Sequence, residues 1–159
     1  MRHLFLPCLA TLYLTACASA DGVQYAEHRK LSDKQSQIIV YREDGLLAAP
    51  APTVSVNGQE RCKLPAGGYF TIDAKPFQSV RLKLKRLGDI WPSEATVTTQ
   101  PGLRQFYRVD FNTGGMIAHS VGGLVGGSAV SQRGSFVFAD GVDAEAAETK
   151  EATNCRGEN

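Results

Sequence analysis

Charge of either sign is not in excess: 17 lysines and arginines stand against 16 aspartates and glutamates. A nucleic-acid surface needs a basic surplus to neutralise phosphates, so no nucleic-acid partner is expected. Histidine is scarce, with three in the chain: His3, His28 and His119. The four cysteines, Cys8, Cys17, Cys62 and Cys155, show no ligand-pair spacing with His28 or His119. A zinc site is therefore not expected, and no other metal or cofactor is. Long hydrophobic runs are also missing. Residues 4–13 and 114–130 are the apolar stretches, and both fall short of the roughly 20 residues of a membrane-spanning helix.

What is present is alternation. Residues 53–84 read as three or four short strands joined by tight turns. Val54 and Val56 alternate with Thr53 and Ser55, the period of a half-buried strand. Asn57-Gly58 follows, a strong hairpin signal because both residues tolerate positive φ. A strict two-residue turn would send Cys62 and Leu64 to the face opposite Val54 and Val56. A bulged loop at Gly58 restores one apolar side, and that register is expected. Residues 65–68 turn the chain, Phe70 and Ile72 alternate with Tyr69, Thr71 and Asp73, and residues 75–78 turn it again. Val80, Leu82 and Leu84 alternate with Arg81, Lys83 and Lys85. The pattern is a meander with one apolar and one charged face.

Elsewhere the signals are shorter. Ile38-Ile39-Val40-Tyr41 is a continuous β-branched and aromatic run, suited to a central strand buried on both faces. Residues 46–52, with two prolines, form a loop. Trp91, the single tryptophan, reads as a plug for one end of the core, with a binding platform as the alternative. Residues 95–99, 106–111 and 135–139 are further strands. Residues 114–130 carry no charge, and Gly122/Gly126 and Gly123/Gly127 repeat at four-residue spacing. That spacing lets helices approach closely. A glycine-rich loop or irregular strand is the plainer reading, membrane or self-association contact the other. From Asp143 to Thr153 alanine and glutamate predict a short helix whose alanine stripe packs shallowly. Asp73, Asp110 and Asp140 sit at strand ends, where carboxylates serve turns.

The N-terminus carries an address. Arg2 and His3 form a basic start, residues 4–13 an apolar core, and Leu14-Thr15-Ala16-Cys17 resembles the lipobox of bacterial lipoproteins. The resemblance implies cleavage after Ala16 and acylation of Cys17, holding the chain by several acyl chains where one binds marginally. Ala18-Ser19 lacks the aspartate that retains enteric lipoproteins at the inner membrane. The resemblance therefore implies the outer membrane, facing the periplasm, with surface exposure as the other orientation. Cys8 leaves with the leader and Cys17 carries lipid. Cys62 and Cys155 then remain in an oxidising compartment, which suggests one disulfide, with free thiols or an intermolecular bridge as alternatives.

Tyr41-Arg42, the Val54-Ser55-Val56-Asn57-Gly58 hairpin and Gly68-Tyr69-Phe70 resemble a family of bacterial lipoproteins of unknown function, numbered twenty-eight forty-six. The turn Lys75-Pro76-Phe77-Gln78 departs from the family's Pro-Gly-x-His at two positions. The likeness covers residues 38–111 and implies a small β-sandwich. About seven short strands at regular spacing imply the same. The expected fold is mainly β: a small antiparallel β-sandwich with a glycine-rich segment and a short C-terminal α-helix, preceded by a lipoprotein signal peptide. The expected division is leader 1–16, lipidated tether 17–36, sandwich 37–111, and glycine-rich segment, edge strand and helix 112–159.

One motif suggests chemistry. Ala118-His119-Ser120-Val121-Gly122 resembles a variant of the lipase nucleophile elbow. An elbow needs a helix after the serine and a histidine later in the chain, and none follows His119. The expected role is a non-catalytic binding or structural module of the envelope, anchored to the membrane, with a protein or glycan partner. A Ser120 hydrolase acting on lipid or cell wall, and self-association through the glycine repeats, are the alternatives. The anchor is directly testable. Cys17→Ser should leave an unprocessed precursor that takes up no fatty acid in metabolic labelling; processing at Ala16 with label incorporated would contradict the lipobox.

Overall fold

The computed structural model describes residues 20, 22–25, 30–45, 50–111, 129–131, 136–141 and 143–155. Within them the chain is mainly β. Ten strands run in order as β1 (Ser36–Arg42), β2 (Thr53–Val56), β3 (Gln59–Lys63), β4 (Gly68–Ala74), β5 (Ser79–Lys85), β6 (Ser93–Thr98), β7 (Arg104–Phe111), β8 (Ala129–Ser131), β9 (Phe136–Asp140) and β10 (Lys150–Glu151). A single helical turn, α1 (Asp143–Ala146), precedes β10, and a 3-10 turn (Thr153–Cys155) follows it.

Two five-stranded sheets face each other, one ordered β10-β4-β1-β7-β9 and the other β3-β2-β5-β6-β8. Most pairings are antiparallel; β1 with β7 and β10 with β4 are parallel. The alternating residues meet between the sheets. Ile38, Val40, Phe70, Tyr107, Val109 and Phe138 oppose Val54, Val56, Cys62, Leu82, Leu84, Ala95 and Val97 in one buried cluster. Each large apolar side chain so buried contributes on the order of 1.5–3 kcal/mol before entropy is counted.

The meander expected over 53–84 is not the observed path. β2, β3 and β5 lie in one sheet, whereas β4 crosses to the other and pairs with β1 along its whole length, Ser36 opposite Ala74 through Arg42 opposite Gly68. Period-two alternation fixes which side of a strand is apolar but not which strand lies beside it.

The bulge exists in a different place. Asn57 (φ 52°) and Gly58 (φ 85°) form a strict two-residue turn, with Val56 opposite Gln59. The extra residue lies within β3: Ser55 faces Glu60 and Val54 faces Cys62, leaving Arg61 as the insertion. Val54, Val56, Cys62 and Leu64 are consequently all buried. The turn is also tied sideways, since Arg81 N donates to Asn57 Oδ1 at 2.9 Å and Asn57 N to Arg81 O at 2.8 Å.

β1 is buried on both faces. Ile39 and Tyr41 belong to a second cluster with Tyr25, Tyr69 and Ala146 on the outer side of their sheet, flanked by Phe106 and Ala147. Two unexpected segments cover that side. The helix expected to run to Thr153 stops after one turn. Thr149, fully buried, donates its hydroxyl to Ala146 O at 2.6 Å, and the chain then extends as β10. Lys150 N bonds Gly67 O at 2.8 Å and Ala152 N bonds Tyr69 O at 2.8 Å. Helix preferences of a few tenths of a kcal/mol per residue yield here to strand pairing that also buries Ala146 and Ala152.

The segment expected to be a tether is docked where it is described. Gly22 N bonds Glu151 O at 2.9 Å, Glu151 N bonds Val23 O at 2.7 Å and Tyr25 N bonds Thr149 O at 2.9 Å. Residues 22–25 thus lie antiparallel to β10, with Gln24 bridged to Lys150. Tyr25 is buried edge-on to Tyr69 and Phe106. A Cβ at Gly22 would stand 2.2 Å from Glu151 O, so only glycine permits this approach. Trp91 does not plug the core; it lies exposed in the loop joining β5 to β6.

The turn offers a clean stability test. Space around Gly58 is open, so a substitution there acts through backbone conformation alone. Gly58→Val should lower stability by about 1–3 kcal/mol, because a β-branched residue is strained at positive φ. A denaturant midpoint equal to wild type would argue against the two-residue turn.

Candidate functional site

Among the described residues nothing covers the outer face of the second sheet, and its register builds a site. β5 turns Val80, Leu82 and Leu84 inward, which leaves Arg81, Lys83 and Lys85 outward. β2 turns Val54 and Val56 inward, leaving the small hydroxyls of Thr53 and Ser55 outward. The insertion at Arg61 lets β3 bury Cys62 and still place Lys63 opposite Thr53.

Two cross-strand rows result. One runs Glu60, Ser55, Lys83, Glu94, with alternating charge. Its Lys83 Nζ lies 3.2 Å from Glu94 Oε1, a half-exposed pair worth at most about 1 kcal/mol. The other runs Lys63, Thr53, Lys85, two cations flanking a short side chain. Thr53 and Ser55 form the floor, the longer side chains the walls, and Pro50, Ala51, Arg86 and Leu87 close the ends. The groove encloses about 520 Å³. Lys63, Lys83, Lys85 and Arg86 line it against Glu60 alone among its own carboxylates. Such donors suit phosphate, sulfate or carboxylate groups on an extended ligand or surface.

The other charged centre is structural. Tyr41 Oη donates to Glu145 Oε2, and Arg108 Nη1 reaches the same oxygen at 3.0 Å. Arg108 Nε and Nη2 grip the two oxygens of Asp110 at 2.9 and 3.2 Å. The hydrogen bond to Asp110, opposed by burial and reinforced by the charges of Asp110 and Glu145, raises the Arg108 pKa above its usual value. These partners close on one another and fasten α1 to the sheet. Arg42 is buried with its guanidinium 5.0 Å from the Phe136 ring centre and Nη1 3.5 Å from Leu64 O. Burial lowers its pKa, and the nearby Asp44 partly offsets this.

The residues singled out from sequence fall in four groups. Asn57 and Gly58 form the β2–β3 turn. Cys62 and Cys155 are brought to disulfide distance, Sγ to Sγ 1.96 Å and Cα to Cα 4.9 Å. Cys17, His28, His119, Ser120 and the glycine repeats lie outside the described residues, as does the leader. Asp73 accepts from Gln37 Nε2 at 2.9 Å, and Asp110 holds Arg108. Among the described residues there is no group of three or more histidines, cysteines and carboxylates able to hold a metal. The groove itself was hidden in the sequence. Lys83 and Lys85 read there, with Arg81, as the charged side of one strand, Lys63 is not singled out, and only strand register shows that they converge.

Comparison with protein-family models, with curated proteins and with solved structures finds no match.

Proposed function

We propose that the chain is a lipid-anchored module of a bacterial envelope that binds an anionic partner without converting it. The observation that carries this reading is the row Lys63–Thr53–Lys85 with Lys83 and Arg86 beside it, a cationic groove on a sheet face that none of the described residues covers. The lipobox-like Leu14-Thr15-Ala16-Cys17 supplies the anchor, and the Cys62–Cys155 pair suits an oxidising compartment. The groove presents ammonium and guanidinium groups with two hydroxyls, an arrangement for charge recognition. Association through such a surface is steered by long-range attraction and weakened by salt.

The reading is tested by charge reversal with a soluble polyanion, polyglutamate, as the probe. Lys63→Glu with Lys85→Glu should weaken binding roughly tenfold or more and flatten its salt dependence. Lys75→Glu, on the turn at the far end of β4, should leave binding unchanged. Equal losses from both changes would show that overall charge, not the groove, governs binding.

A further inference from the structure

We infer that the groove and the loop that overhangs it, residues 86–92, form a second membrane contact that lays the module on an anionic phospholipid surface. This rests on the lipid-anchored reading above and names the groove's occupant.

The loop is a built structure. Arg86 N donates to Asp89 Oδ2 at 2.9 Å and Asp89 N to Arg86 O at 3.0 Å, while Gly88 takes φ 94°. This closed turn directs its apolar side chains away from the protein. Leu87 is 100 % exposed, Ile90 85 % and Trp91 59 %. Three large apolar residues on one short turn are costly to leave in water, and an indole is suited to the boundary between headgroups and acyl chains. Lys85 and Arg86 lead directly into this turn, and Lys63 and Lys83 lie on the same sheet face. Apolar side chains beside a groove rich in cations match the layered chemistry of an anionic bilayer, with phosphate outside and hydrocarbon beneath.

The opposite end of the sandwich also exposes apolar residues, Phe77 and Leu103. There the charges are mixed: Asp73 and Lys75 flank the Phe77 turn, and Asp33 lies against Gly102 beside Leu103. Among the described residues, the end with residues 86–92 joins apolar exposure to a cationic excess, with Lys63, Lys83, Lys85 and Arg86 against Glu60, Asp89 and Glu94.

On the lipid-anchored reading, the docked N-terminal segment keeps the module close to the bilayer. A free tether would let the module float clear of the bilayer. With Gly22 and Tyr25 bonded alongside β10, an anchor at Cys17 would be joined by the five steps from Cys17 to Gly22, at most about 18 Å of chain. Beyond β10 the chain reaches Asn154, whose Nδ2 donates to Lys63 O at 3.0 Å. Lys63 in turn stands two strands from Lys85, about 10 Å. The β10 edge and the cationic row are therefore neighbours.

Trp91, as the single tryptophan, reports on the contact directly. The acylated protein is reconstituted into phosphatidylglycerol vesicles and, separately, into phosphatidylcholine vesicles. Trp91 emission should shift to the blue and be quenched by lipids brominated on their acyl chains in the first, and much less in the second. Leu87→Ser with Ile90→Ser should reduce that quenching roughly tenfold, and both positions are too exposed for the change to disturb the core. Trp91 emission that stays water-like and equally open to aqueous iodide with and without vesicles would overturn the proposal. Shielding by polyglutamate but not by phosphatidylglycerol would assign the face to an acidic polypeptide and overturn it too. Mass measurement of the mature N-terminal peptide reports acylation of Cys17 independently. If Cys17 bears no lipid, the anchor reading fails, while the same emission test on added vesicles still judges the loop.

Discussion

The covalent join between Cys62 and Cys155 is the constraint on which the closed edge of this sandwich depends. β3 and β4 are consecutive in the chain but belong to opposite sheets, so the sandwich opens between them. The C-terminal strand β10 fills that opening by pairing with β4, and it is only two residues long. Two residues of parallel pairing do not hold a chain end unaided. Cys155 supplies the missing restraint by binding that end to β3, across a sequence separation of 93. On the chain-entropy account a loop of that size is worth up to about 4–5 kcal/mol. Both half-cystines also join the main core cluster, so the link is packed as well as covalent.

A chain of dependence follows outward from this edge. β10 presents its other side to residues 22–25, which bond to it and place Tyr25 on the aromatic cluster of Tyr69 and Phe106. The N-terminal segment is therefore held by a strand that is itself held by the disulfide. Structure at the edge would thereby control how far the body of the protein can stand from the proposed anchor at Cys17. Oxidation state, strand pairing and distance from the membrane become linked quantities in the proposed setting.

Much of the fold was legible where one residue's neighbours decide its state. The Ile38–Tyr41 run showed two-sided burial because no polar residue interrupts it. Asn57-Gly58 showed its turn because few other residues accept φ near 52° and 85° in succession. What stayed hidden depends on partners distant in sequence. The departure of β4 to the other sheet, the placement of the bulge at Arg61 and the conversion of 147–152 from helix to turn and strand are all set by pairing energies invisible to local patterns. Trp91 was misplaced for a related reason: an aromatic's area argues for burial, but the tight turn at Gly88 and Asp89 lifts it off the core. The groove was least legible, because its lysines become a row only once three strands are in register.

Hydrogen exchange on the oxidised and reduced protein tests the dependence of the edge on the disulfide most directly. The amides of Gly22, Tyr25, Lys150, Glu151 and Ala152 report the edge, and those of Ile38, Ile39 and Val40 report the central strand. Reduction should strip protection from the first group as one unit while the second stays protected. Edge amides that remain protected in the reduced protein would contradict the account, as would simultaneous loss in both groups.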